Sequence, residues 1–367
     1  MKLEKGVISN TQLMYLALCY METMVMTINF VYSISKQDAW LAILVAFVIV
    51  IPVLLGYTAI AKKYPGSNLV QINDAVFGPY VGKFFSALYI WFFFELIIHY
   101  AYLFNSFWIT FIMTETPRAA FVIMLILVSA MAVRSGIEVI ARCGMVFSII
   151  VALMVISVAV LLIPNYEGNH FLPVFELSPK DLVQSVHCIL TIPFCDIVAF
   201  LMILPYTEDN KKIRKPILLA TGISTALLLI MVFASIATAG IRMINFTSVT
   251  FAVTREIDIG EVLTRLDVLV AVTILLTVFI KVTIYYYVTV LGLAQMFKLN
   301  SYKTLVVPIG VLVIAIATNL YSSDMEQVYA AQFIWPFNAS VFEFVLPALT
   351  LAVIVIRKLI EKGKAEA

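Results

Sequence analysis

The sequence predicts an all-α integral membrane protein whose ten transmembrane helices form a five-plus-five inverted repeat with discontinuous first and sixth helices. Three observations predict it. First, 63% of the 367 residues are hydrophobic and 13% charged, with a mean hydropathy of +1.03, more apolar surface than one water-soluble core can hide. Second, apolar windows of 18 or more residues, each able to cross a hydrocarbon core of about 30 Å, fall at 10–34, 39–61, 83–113, 118–135, 139–163, 182–205, 214–240, 265–297, 302–320 and 335–357. Third, the connections show a similar rhythm in two sets of five. Five is an odd number, so the second set must enter the membrane from the opposite side. The expected organisation is a single transmembrane domain over 1–367, with repeats at about 10–163 and 182–357.

The first span follows the short head MKLEKG. No small-x-small cleavage site follows and the apolar run is too long for a signal peptide, so the span is expected to be retained. It carries Glu22, Thr23, Thr27 and Asn29 but no proline or glycine, so a bend there is only weakly signalled. The connection after the second span holds the amphipathic NLVQINDAVFG, and its counterpart in the second half is VTFAVTREIDIGEVL. The third and eighth spans, 31 and 33 residues, exceed a perpendicular crossing and imply tilt or extension. On the third, Glu95 and His99 stand four apart on one face beside Tyr102. They read either as a proton relay or as a satisfied structural pair.

The sixth span contains TIPFCDIVAF at 191–200. Pro193 removes an amide and forbids the normal turn before it, so carbonyls near His187 to Ile189 need another partner. A carboxylate such as Asp196 within the bilayer costs about 2.5–3.5 kcal/mol on an insertion scale and faces a cavity or a partner. In inverted-repeat folds the first helix of each half is often broken at mid-membrane, and the freed backbone lines a solute site. Thr191, Pro193, Cys195 and Asp196, with Glu22, Thr23 and Thr27 from the matching place in the first half, are therefore the candidate ligand-binding residues. A half-helix N-terminus after Pro193 would offer amides to a ligand carboxylate, and Asp196 or Glu22 would receive an ammonium. A proline kink with a paired aspartate is the other reading.

On the eighth span Thr273, Thr277, Lys281, Tyr285 and Thr289 form a polar stripe. Lys281 lies too deep to reach the interface and needs a buried anion, Glu22 or Asp196. With Tyr285 it forms the second half of a coupling or charge-pair set that begins with Glu95 and His99; a neutralising pair that only holds helices together also fits. Seventeen Lys and Arg fall in one set of alternate connections and termini and six in the other, which puts both termini in the cytoplasm. The basic NKKIRKP loop at 210–216 reads as an orienting, lipid-facing segment.

Other classes find little footing. The four cysteines, Cys19, Cys143, Cys188 and Cys195, show no CxxC spacing, and the three histidines form no ligand cluster, so neither a disulfide framework nor a metal centre is expected. No GxGxxG, Walker A, HExxH or GxSxG is present, so neither an enzyme nor a cofactor is expected. The spread of the basic residues argues against nucleic acid.

Across the chain, in order, run ISNTQLMYL, KQDAWLAILVAF, KKYPGSNLVQINDAVFGPYVGK, TPRAAFVIML, RSGIEVIAR, NHFLPVFELSPKDLVQS, LPYTEDNKKIRKP and RLDVLVAVTILLTVFIKVTIYYYVTVLGLAQMF, with a closing run after IWPF. In this order the chain resembles the B subunits of bacterial spore germinant receptors, the endospore germination permeases of the amino acid, polyamine and organocation transporter superfamily. Two departures stand out: IPFCD has Cys195 and Asp196 where such proteins usually have glycine and glutamate, and METMVMTINFVYSIS lacks their usual glycine-containing break and Leu-Pro. The resemblance implies a LeuT or amino-acid-permease-like fold in the spore inner membrane. It implies a subunit that works with an A subunit and a lipoprotein C subunit, senses a small nutrient, commonly an amino acid, and passes a germination signal on. Lys281 would take the place that a bound sodium ion has in related folds. A proton-coupled amino acid permease is the alternative.

Overall fold

The computed structural model describes residues 3–245, 248–255 and 267–366. Its helices are α1 (Asn10–Met21), α2 (Met24–Thr27), α3 (Asn29–Ser35), α4 (Ala39–Lys63), α5 (Leu69–Phe77), α6 (Val81–Phe111), α7 (Arg118–Ser135), α8 (Ile137–Leu161), α9 (Pro179–Ile189), α10 (Arg214–Ala239), α11 (Val249–Arg255), α12 (Asp267–Met296), α13 (Lys303–Ala317), α14 (Asp324–Tyr329), α15 (Trp335–Ser340) and α16 (Leu346–Glu366). Among the described residues no strand forms beyond a bridge between Ile8 and Thr207.

Eight helical stretches among the described residues are long and apolar enough to cross a membrane, from Asn29–Lys63 to Asp324–Glu361. With α1 opening the first crossing and α13 as a shorter apolar helix, they form the ten passes that the hydropathy predicts. The outer faces are as apolar as the inner ones: Met131 is 70% exposed, Leu153 60% and Val307 60%. Such all-round hydrophobicity suits helices set in lipid.

The boundaries depart from expectation where proline intervenes. The tenth pass starts at Asp324 rather than 335, in three α-helical pieces joined by π-helical turns at Ala330–Ile334 and Val341–Val345. Pro336 and Pro347 follow these turns, and each lacks the amide that an α-helix would aim at the carbonyl four residues back. Side chains take over. Cys188 Sγ donates to Gln332 O at 3.6 Å, and the Tyr57 hydroxyl donates to Glu343 O. The ninth helix has 15 residues, about 22 Å at 1.5 Å per residue.

The amphipathic connection in the first half folds as α5, opened by a reciprocal Asn68–Gln71 cap. Its counterpart begins as α11. The remainder of that motif, Arg265 and the first residues of the expected eighth span lie outside the described residues.

α12 packs on α6, α7 and α8, while α1 packs on α8 and α10. Residues 280–292 of α12 are all buried, so the centre of the bundle is where the eighth span passes the first, third and sixth. Close approaches are bought with small residues: a Cβ on Gly82 would lie 2.5 Å from Asn73 O, where α5 meets α6. Gly136, at φ +91°, turns α7 directly into α8.

Candidate functional site

Both helices expected to be discontinuous are interrupted, by different chemistry. In the first, turn residues separate α1 from α2 at Glu22–Thr23 and α2 from α3 at Ile28. Thr23 Oγ1 donates to Tyr20 O (3.0 Å), Thr27 Oγ1 to Met24 O (3.3 Å) and Asn29 Nδ2 to Met26 O (2.9 Å). Such local bonds compete with the helix ladder and bend it, with neither proline nor glycine required. In the sixth, α9 passes into a π-helical turn at Leu190–Phe194 containing Pro193, then into a 3-10 helix at Cys195–Met202. Thr191 Oγ1 donates to His187 O at 2.9 Å and reaches Cys188 O at 3.4 Å, serving two of the carbonyls in the stretch where proline was expected to free them.

This path corrects one expectation. The Cys195 amide bonds to Leu190 O, and the chain stays helical through Pro193. The first amide beyond the turn is therefore not free for a ligand carboxylate, and the interruption of the sixth helix is a change of pitch from π-helical to 3-10.

Asp196 and Lys281 meet at the centre. Lys281 Nζ lies 3.0 Å from Asp196 Oδ2, an ion pair rather than a well-directed hydrogen bond, and both residues are fully buried. Of the two anions the sequence offered Lys281, the structure uses Asp196. Tyr100 donates its hydroxyl to Asp196 Oδ2 (2.9 Å) and lies 3.1 Å from Ile192 O, while Tyr20 donates to Asp196 O (2.8 Å) and lies 2.5 Å from the Tyr285 hydroxyl. The ammonium stands over the rings of Tyr20 and Tyr100, 4.5 and 4.6 Å from their centroids. Tyr285 stacks on Tyr100. Asp196 therefore already receives an ammonium, that of Lys281, rather than presenting its carboxylate to a ligand.

A small pocket, with a cavity volume of about 50 Å³, lies beside this cluster, walled by Thr27 and Phe30 from the first helix, His99, Tyr100 and Leu103 from α6, Ile192, Tyr321 from the connection before the tenth pass, and Gln327 and Trp335 from that pass. His99 packs against Trp335, ring centroids 4.6 Å apart. A second pocket shares Phe30, Leu103 and Gln327 and runs on to Phe111 and Asp324, at the end of α6 remote from the lysine-rich loops. Mostly apolar pockets with a few polar groups are the usual form of small-molecule sites.

The expected residues divide. Thr27 and His99 wall the pocket and Pro193 lines a smaller neighbouring one, whereas Glu22, Thr23, Thr191, Cys195 and Asp196 are buried but wall neither. Glu22 sits at the helix interruption with neither carboxylate oxygen hydrogen-bonded. Glu95 and His99 are engaged separately: Glu95 Oε2 accepts from Asn338 at 3.2 Å, and His99 Nδ1 is 2.8 Å from the Glu95 backbone carbonyl. Sequence reasoning missed Tyr20, Tyr100 and Glu343. Glu343 carried the same signal as Asp196, a carboxylate within an apolar run.

A family profile described as Spore germination protein matches residues 7–325. Spore germination protein KB of Bacillus subtilis (strain 168) is 28% identical over 295 residues, 78% of this chain and 79% of the relative. Spore germination protein B2 of the same organism is 21% identical over 310 residues, 80% of each. The structure of Mhp1, a nucleobase-cation-symport-1 family transporter in a closed conformation with bromovinylhydantoin bound, superposes with a TM-score of 0.66, covering 93% of this chain and 79% of that one. At 13% identity this likeness shows the fold alone, a LeuT-like transporter architecture.

Proposed function

The chain belongs to the spore germination protein family, and from that membership we propose that it is the membrane subunit of a spore germinant receptor, binding a small nutrient and passing the signal to partner subunits. The observation that carries the reading is the aromatic pocket beside the interrupted first and sixth helices, joined through one residue, Tyr100, to the buried Asp196–Lys281 pair. A ligand that shifts Tyr100 acts directly on the pair that ties the sixth helix to the eighth. Ligand binding can thereby bias a conformational equilibrium without anything being transported.

The wall chemistry favours a nutrient with an apolar or aromatic body, and amino acids are the class to test first. Because Asp196 is engaged by Lys281 and Tyr100, the ligand ammonium is held instead by the pocket's own acceptors, with Gln327 and Tyr321 at hand. Partners are a germinant receptor A subunit and a lipoprotein C subunit, and the setting is the spore inner membrane with both termini on the core side. The seventeen-to-six division of Lys and Arg supports that orientation. The two repeats run over about 10–163 and 182–357, each opening with an interrupted helix.

The test is a pocket substitution scored in spores. Trp335→Ala removes the ring that packs on His99 while leaving the central ion pair in place. It should weaken the germination response to the cognate nutrient at unchanged protein level in the membrane. An unaltered dose–response curve would remove the pocket from the account. Transporter architecture also fits a proton-coupled amino acid permease, for which gradient-driven uptake is the distinguishing result.

A further inference from the structure

We propose that Asp196 and Glu343 hold one proton between them, making the centre of the bundle a proton-binding site in which two carboxyls are balanced by one proton and one lysine. Asp196 and Glu343 are both 0% exposed, and Lys281 is the only buried Lys or Arg among the described residues. Asp196 Oδ2 has Lys281 and Tyr100, but Asp196 Oδ1 and both Glu343 carboxyl oxygens have no donor. The segments that carry the two carboxyls, Cys195–Met202 and Val341–Val345, pack against one another, and a proton on either carboxyl would give these orphaned oxygens a donor.

The surrounding groups cannot supply the missing donor from their present positions. Tyr57 donates to the Glu343 backbone carbonyl, Tyr89 to that of Phe342, and Tyr20 to that of Asp196, while Tyr100 serves Asp196 Oδ2 and Ile192 O. The Cys195 thiol, fully buried beside Asp196 in the chain, is only a weak donor. With both carboxyls ionised, the trio would carry a net charge of −1 in a fully buried site, which low-dielectric surroundings strongly disfavour. A single shared proton brings the trio to neutrality and provides the absent donor. The balance is simple: one proton is taken from solvent and none of the three side chains changes its bonding otherwise.

The location gives the proton leverage. Asp196 is the second residue after the π-helical turn that carries Ile192, and Glu343 lies in the turn after α15, which begins with Trp335; Ile192 and Trp335 both wall the pocket. Losing the proton would set two negative carboxylates against each other across the sixth and tenth passes. Proton occupancy and pocket shape are thus linked, whether or not the ligand is an amino acid, so this inference stands independently of the receptor reading.

Difference infrared spectroscopy of the purified protein in lipid, in water and in deuterium oxide, tests it by reading the C=O band of a protonated carboxylic acid. The wild type should show a component that is lost in Glu343→Gln, because the amide supplies the donor and no proton is needed. In Lys281→Met the same band should grow, since both carboxyls must then be protonated to stay neutral. An unchanged band in a folded Glu343→Gln protein would overturn the proposal. Absence of growth in Lys281→Met would do so too, and that variant keeps the test decisive if Glu343→Gln does not fold.

Discussion

Tyr100→Phe isolates one atom at the junction between pocket and ion pair. The ring remains, with its stacking on Tyr285 and its face toward Lys281, so packing is preserved and only the hydroxyl goes. That hydroxyl serves Asp196 Oδ2 at 2.9 Å and Ile192 O at 3.1 Å. A hydrogen bond to a charged acceptor contributes about 1.5–3 kcal/mol, and a buried carbonyl left without a donor costs about 1–3 kcal/mol. Asp196 Oδ2 keeps Lys281, so the lower part of the combined range applies, about 2.5–4 kcal/mol. Equilibrium unfolding in mixed micelles, monitored by tryptophan fluorescence, measures the loss. A double-mutant cycle with Asp196→Asn then isolates the pair, and its interaction energy should be about 1–3 kcal/mol, since the two side chains are in contact. A Tyr100→Phe protein within about 0.5 kcal/mol of wild type, the size of an ordinary surface substitution, would refute the reasoning.

Two further outcomes follow from the same contacts. Asp196→Asn alone leaves Glu343 able to ionise beside Lys281, but Asp196→Asn combined with Glu343→Gln strands the lysine; the double variant should lose about 3–5 kcal/mol in the same unfolding assay, far more than either single change. Tyr57→Phe should cost about 1–3 kcal/mol because Pro347 supplies no amide to Glu343 O, and Pro347→Ala in the same protein should recover much of it, as thermal unfolding of the four proteins would show.

What the sequence made legible is what lipid makes expensive. A lysine and an aspartate within apolar runs demand a partner, so the reading of Lys281 reached two candidates. Choosing between Glu22 and Asp196 required the rotation of the first and sixth helices, which hydropathy does not encode. The interruption of the first helix was weakly signalled because threonine and asparagine, rather than proline, produce it. The π-helical turns of the tenth pass were hidden for a related reason: a hydropathy window measures apolarity, whereas Pro336 and Pro347 change hydrogen-bond register. Gln327 and Ala331 line the pocket because the tenth pass begins eleven residues earlier than its apolar run, at Asp324.

The central claim is that this membrane subunit binds a nutrient and signals rather than carrying it across. Purified protein in sealed liposomes, offered labelled amino acids with and without a proton gradient, separates bound from internalised label. Saturable binding, weakened by Trp335→Ala, is expected, with no accumulation inside. Gradient-dependent accumulation would contradict it and make the protein a permease.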